Sequence, residues 1–255
     1  KSIAICNVVG RMATREADGT VYTHAGPEIG VASTKAVTCQ LVALHLLAIA
    51  IAQARGTLPV ERAREVIAQL EQLPVGIEQV LKMNDRIKDL SARVQKHRDF
   101  LYLGRSINYP IALEGALKLK EISYIHAEGY PAGEMKQGRI GLIDEALPVV
   151  ALAAGDDVFE KSLGNIQEAK ARGAQMIVVT NASQASTFDG LLDPKRDVVL
   201  TVPDAHPLLL PVLMVVPLQL LAYHVAIARG ADVDQPRNLA NSVTVEWGWG
   251  REAEK

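Results

Sequence analysis

Leu147-Pro-Val-Val-Ala-Leu-Ala153, the segment from Val158 to Arg172, and Gln175-Met-Ile-Val-Val-Thr180 follow one another as a strand, a helix and a second strand. The two strand segments are continuous apolar runs, the pattern of strands covered on both faces rather than on one. Downstream, Asp197–Val202 and Leu208–Arg229 repeat the strand–helix theme. Upstream, Asp99-Phe-Leu-Tyr-Leu-Gly104 reads as a strand and Tyr109–Glu128 as a helix. Further toward the N-terminus, the spacing predicts strands over Ile3–Val8 and Val21–His24 and a long apolar helix over Ser33–Ala54, capped by Ser33 or Thr34. Amphipathic helices are expected over Glu61–Leu73 and Gly76–Gln95, parted at Pro74. Strands alternating with helices give an α/β fold of parallel sheets flanked by helices.

The closing elements of the two halves match. Ala52-Gln-Ala-Arg-Gly56 ends the first strand–strand–helix run, and Ala226-Ile-Ala-Arg-Gly230 ends the second. A second copy that begins with a strand and helix which the first copy lacks predicts that roughly a hundred residues of the first copy lie outside this chain, the size of a small α/β lobe. The start at Lys1 rather than Met agrees with that expectation.

Composition narrows the functional classes. Lys plus Arg total 27 against 29 Asp plus Glu over 255 residues, a net charge of -2, so no global field favours nucleic acid or an anionic membrane. Neither is expected as a partner. Cys6 and Cys39 are the only cysteines and form no metal-binding spacing, and the six histidines are scattered. No metal or other cofactor is expected, and a reducing cytoplasm is the expected compartment. Leu208–Ala228 carries no Asp, Glu, Lys or Arg, yet Pro211, Pro217, Gln219 and His224 interrupt it, so it reads as a core helix. It and Ser33–Ala54 are the expected homodimer faces.

Three polar stretches carry candidate chemistry. In Leu113-Glu-Gly-Ala-Leu-Lys-Leu-Lys-Glu121, Glu114, Lys118 and Glu121 fall at i, i+4 and i+7 of a helix and share one stripe. A carboxylate beside an ammonium suits a base in proton abstraction next to a carbonyl; an ordinary solvated face of ion pairs is the alternative. Gly133-Glu-Met-Lys-Gln-Gly138 is a polar loop bounded by glycines, and Ala25-Gly-Pro-Glu-Ile-Gly-Val-Ala-Ser-Thr-Lys35 runs into a helix N-terminus whose amides could take an anion or hydroxyl. No GxxxxGK[ST] or GxGxxG loop is present, and the turn Ala154-Gly-Asp-Asp157 is acidic.

The stretch Ala25–Lys35, the segment from Tyr109 to Glu128, Asp232-Val-Asp-Gln-Pro-Arg-Asn-Leu-Ala240 and Ser242-Val-Thr-Val-Glu246 together resemble the isomerase part of glucosamine-6-phosphate synthases, the isomerizing glutamine–fructose-6-phosphate transaminases. The resemblance implies two sugar isomerase (SIS) subdomains of flavodoxin-like fold, the first truncated: residues 1–73, residues 74–246, and an additional tail at 247–255. It implies fructose 6-phosphate or glucosamine 6-phosphate as ligand, Glu121 as the base moving a proton between C1 and C2, and Lys118 as the nearby cation. It also implies that Val31, Ser33 and Ala240 contact substrate. At two catalytic positions the chain departs from the pattern. Gln137 stands where the family has a ring-opening histidine, and Asn241 where it has an imine-forming lysine. An amide can neither shuttle a proton near neutral pH nor form an imine. The chain as given is therefore expected to be impaired. A non-catalytic sugar-phosphate-binding or dimerisation module, or a related amino-sugar phosphate isomerase or deaminase, are the alternatives.

Overall fold

The computed structural model describes residues 1–237, so Ala240, Asn241 and the tail 247–255 lie outside the described residues. The elements run β1 (Ile3–Cys6), α1 (Met12–Glu16), β2 (Gly19–Tyr22), α2 (Lys35–Ala54), α3 (Val60–Leu81), α4 (Asn84–Val94), β3 (Asp99–Gly104), α5 (Asn108–Ser123), β4 (His126–Pro131), β5 (Pro148–Ala153), α6 (Phe159–Lys170), β6 (Gln175–Asn181), β7 (Val198–Val202) and α7 (Leu210–Ala228).

Strands β3 to β7 form one parallel sheet in the order β4-β3-β5-β6-β7. The order reverses at β3, as in doubly wound folds. Alternate residues feed two cores: Phe100, Tyr102, Val150 and Ile177 pack with α4, α5 and α7, while Leu101, Leu103, Val149 and Val178 pack with α6 and the loop before β5. Strands β1 and β2 make a separate parallel pair in the register Ile3↔Gly19 to Cys6↔Tyr22.

The core-helix reading of the uncharged segment fits α7. Most of its 19 residues are buried against α3, α4 and α5. Most of its apolar surface is spent inside the fold, and Tyr223 and Ile227 remain about half exposed. α2 differs. Among its 20 residues only Ala43 is buried, and Leu44, Leu46 and Ile51 are each about half exposed. Both helices are long and apolar enough, by length and composition, to cross a membrane.

Two boundaries depart from expectation. α3 continues through Pro74, and the break falls at Lys82–Met83. Leu70, Leu73 and Val80 are buried on either side of the proline, and packing against α7 outweighs the lost backbone bond. α5 stops at Ser123 because Tyr124 adopts the left-handed conformation, φ 60°. The residues after it form the edge strand β4, where sequence predicted helix as far as Glu128.

Candidate functional site

Close packing sets the position of α5. A Cβ added at Gly115 would meet Leu218 Cδ1 at 2.6 Å and Tyr102 Cε1 at 2.9 Å, so the missing side chain lets α5 sit tightly between β3 and α7. The adjoining flank of the same helix carries the predicted stripe. Lys118 Nζ donates to Glu121 Oε2 at 2.8 Å and lies 3.6 Å from Glu114 Oε1. The three side chains are 5%, 21% and 15% exposed respectively, too enclosed for an ordinary solvated face. Burial holds the Glu114 carboxyl above its ordinary range; Lys118 pulls it back and the Glu121 charge adds to the rise.

Lys118 forms part of a cleft of about 160 Å³ whose wall includes Glu28, Thr34, Gln219, Tyr223 and Asp234. Gly30, Ala32 and Thr34 line it; Val31 and Ser33 alternate with them and are half-buried. The Val31 amide donates to the Asp234 carbonyl at 3.0 Å, and Gln219 Nε2 donates to the Thr34 carbonyl at 3.2 Å, so α7 and the segment after it hold the loop in place. Ser33 and Thr34 do not cap α2. That role belongs to Glu28, whose Oε1 accepts the Thr34 amide, the Lys35 amide and the Thr34 hydroxyl at 2.9, 3.0 and 3.2 Å. The amides suggested for an outside anion are thus already filled by a carboxylate of the same loop.

Gln137 is not brought to this cleft. It is exposed on the turn between Ala132 and Leu142, its amide donating to the Glu134 carbonyl. The crevice where the sheet order reverses is closed by the protein's own polar groups. Asn108 Nδ2 donates to Asp156 Oδ2 at 3.2 Å, the Gly155 amide donates to Asn181 Oδ1 at 2.8 Å, and Asn181 Nδ2 donates to Asp204 Oδ1 at 2.6 Å. Burial raises the Asp156 carboxyl, whereas the Asn181 amide keeps Asp204 low. The turn is acidic, and within the same group Asn108 Oδ1 is buried without a hydrogen-bond partner among the described residues.

Two larger grooves, of about 540 and 480 Å³, lie beside Lys96–Leu101 and beside α4 and β7. Neither includes the Glu114–Lys118–Glu121 group. Among the described residues no cluster of three or more His, Cys, Asp or Glu side chains is placed to share a metal ion. Sequence reasoning missed Glu28, Gln219, Tyr223 and Asp234. Glu28 lies six residues before the amide it caps, beyond the reach of local capping patterns, and the others arrive through the tertiary fold.

A family model described as the SIS domain matches residues 1–50 and 94–229. Over 246 residues the chain is 52% identical to the isomerizing glutamine–fructose-6-phosphate aminotransferase of Thermus thermophilus, covering 96% of this chain and 40% of that protein. The enzyme of the same name from Gloeobacter violaceus is 56% identical over 227 residues, 89% of this chain and 36% of that protein. The chain thus spans about 40% of the length of the curated relatives it matches. Among solved structures, the C-terminal domain of glucosamine-fructose-6-phosphate aminotransferase from Francisella tularensis superposes with a TM-score of 0.86 at 41% identity, over 92% of this chain and 65% of that one. A glucosamine-6-phosphate deaminase from Thermotoga maritima, at 22% identity and a TM-score of 0.62, shares the fold. Since the family match lies over both the β1–β2 unit and the five-stranded sheet, the chain belongs to the SIS domain family.

Proposed function

We propose that this chain is isomerase-region material of a glutamine–fructose-6-phosphate aminotransferase, with Glu121 carrying the proton between C1 and C2 of the sugar phosphate. The observation that carries the reading is the enclosed Lys118–Glu121 pair at 2.8 Å, whose Lys118, though not Glu121, lines a cleft walled by the Ala25–Lys35 loop. An aldose–ketose shift needs a carboxylate base and a cation near the developing enediolate, and the pair supplies both. Val31 and Ser33 bind the sugar from the loop. Ala240 adds a further contact, and Asn241 occupies the position of the imine-forming lysine; both lie outside the described residues.

The reading includes an impaired chain. Gln137 and Asn241 hold the two positions whose family residues shuttle a proton and form an imine, and no phosphate-gripping loop is supplied by residues 1–237. Gln137, exposed and outside the cleft, favours the second reading, a sugar-phosphate-binding module without turnover. Residues 1–73 serve as part of a first SIS subdomain and 74–246 as the second. The protein works in the cytoplasm as a homodimer joined through α2.

Conversion of fructose 6-phosphate to glucose 6-phosphate separates the two readings. It is measured for this chain and for a chimera carrying the complete first subdomain of the Thermus relative, each with native residues or with Gln137→His and Asn241→Lys. Turnover confined to the restored chimera supports an isomerase lineage with lost activity. Robust turnover by the unaltered chain overturns the roles given to Gln137 and Asn241. Absence of turnover in all four leaves the binding-module reading.

A further inference from the structure

A structural consequence follows if Glu121 is the proton carrier, and it rests on that reading. When the sugar C–H bond breaks, its proton forms an O–H bond on Glu121 and the electron pair remains on the sugar as an enediolate. The proton then returns to the neighbouring carbon. While Glu121 is neutral, Lys118 has lost the charge it holds at 2.8 Å. An ammonium on a side chain only 5% exposed is costly to leave without a counter-charge.

Glu114 stands on the other side of that ammonium. Its Oε1 lies 3.6 Å from Lys118 Nζ, short of hydrogen-bond contact, and is buried with no hydrogen-bond partner among the described residues. The remaining groups around the cleft offer no substitute. Glu28 is committed to the α2 terminus, Asp234 packs against Gly30 of the loop, Tyr223 and Gln219 belong to α7, and Lys118 is the only cation among the described lining residues. Tyr102 packs from β3 against Gly115, with its hydroxyl also buried and without a hydrogen-bond partner among the described residues.

We propose that Glu114 is a positioning residue: it is the second seat to which the Lys118 ammonium moves when Glu121 is protonated, so that one cation serves two carboxylates in turn. The Glu114 oxygen, without a hydrogen bond among the described residues, is the vacant seat, and the i, i+3 and i, i+4 spacing of the three residues allows the lysine to swing without moving the helix. Each swing keeps the charge beside the enediolate balanced while the proton is in transit.

Glu121→Gln imitates the protonated base and can be examined in this chain without substrate. A crystal structure of that variant is expected to show Lys118 Nζ within about 3.2 Å of a Glu114 oxygen. Lys118 remaining 3.5 Å or more from Glu114 would overturn the proposal. Side-chain ¹³C NMR provides a second readout. Titration of the Glu114 carboxyl should fall by about one pH unit or more in Glu121→Gln, as the ammonium becomes its own partner. Most of that fall should vanish when the same substitution is made in a Lys118→Met background. An equal fall in both backgrounds would mean simple removal of a like charge, and would contradict the second seat. These results do not depend on turnover, so they succeed or fail separately from the sugar-isomerase assays.

Discussion

Oε1 of Glu28 accepts both the amide and the hydroxyl of Thr34, at 2.9 and 3.2 Å, and so ties the Ala25–Lys35 loop to the start of α2. One carboxylate thereby completes the helix terminus and fixes the direction in which Gly30, Ala32 and their neighbours present themselves to the cleft. Glu28→Ala is expected to cost about 1 kcal/mol, the usual value of a lost N-cap. It should also accelerate hydrogen exchange at the Thr34 and Lys35 amides. Urea denaturation and amide exchange measure the two effects; unchanged exchange at both amides would show that Glu28 does not order the loop.

Tyr102 presents the reverse case. Its hydroxyl is buried without a hydrogen-bond partner among the described residues, and burial pushes the phenol well above its ordinary pKa. Tyr102→Phe keeps the ring packed and removes the unsatisfied oxygen. The variant should be as stable as the native chain or more stable by about 1 kcal/mol. A loss of more than that amount in thermal or urea unfolding would reveal a partner for the hydroxyl.

Acid dependence follows from Glu114. Burial raises its carboxyl in the folded chain, so the folded state binds the proton more tightly than the unfolded state does. Its favourable contribution is complete below the ordinary carboxylate value, 4.5, and is lost as pH rises from there through the raised folded value. Glu114→Gln should therefore gain stability relative to the native chain as pH rises through that window. Parallel stability curves for the two proteins across it would contradict the assignment.

Much of this arrangement was readable from sequence, for physical reasons. β3 is an uninterrupted apolar run ended by Gly104, and its predicted and observed bounds coincide. The Glu114, Lys118 and Glu121 stripe follows from helical spacing alone, and the structure brings all three side chains together. β4, by contrast, reads His126-Ala-Glu-Gly-Tyr-Pro131, an edge strand with polar, Gly and Pro residues and no apolar alternation to declare it. The helix through Pro74 and the cap at Glu28 depend on contacts between distant segments, which local propensity does not register.

The uncovered face of α2 carries the association proposal. Leu44 and Ile51 lie seven residues apart on one face, and each is about half exposed. Leu44→Glu with Ile51→Glu should convert a sedimenting dimer to monomer while leaving the five-stranded sheet folded. A stable native monomer at micromolar concentration would refute the homodimer.

Whether Glu121 is the base is decided by turnover of fructose 6-phosphate to glucose 6-phosphate in the chimera bearing the complete first subdomain, Gln137→His and Asn241→Lys, with and without Glu121→Gln. Loss of a proton-transfer group commonly costs about 10² to 10⁴ in rate, and a fall in kcat of that size is expected with the chimera still folded. Equal kcat for the two chimeras would contradict it.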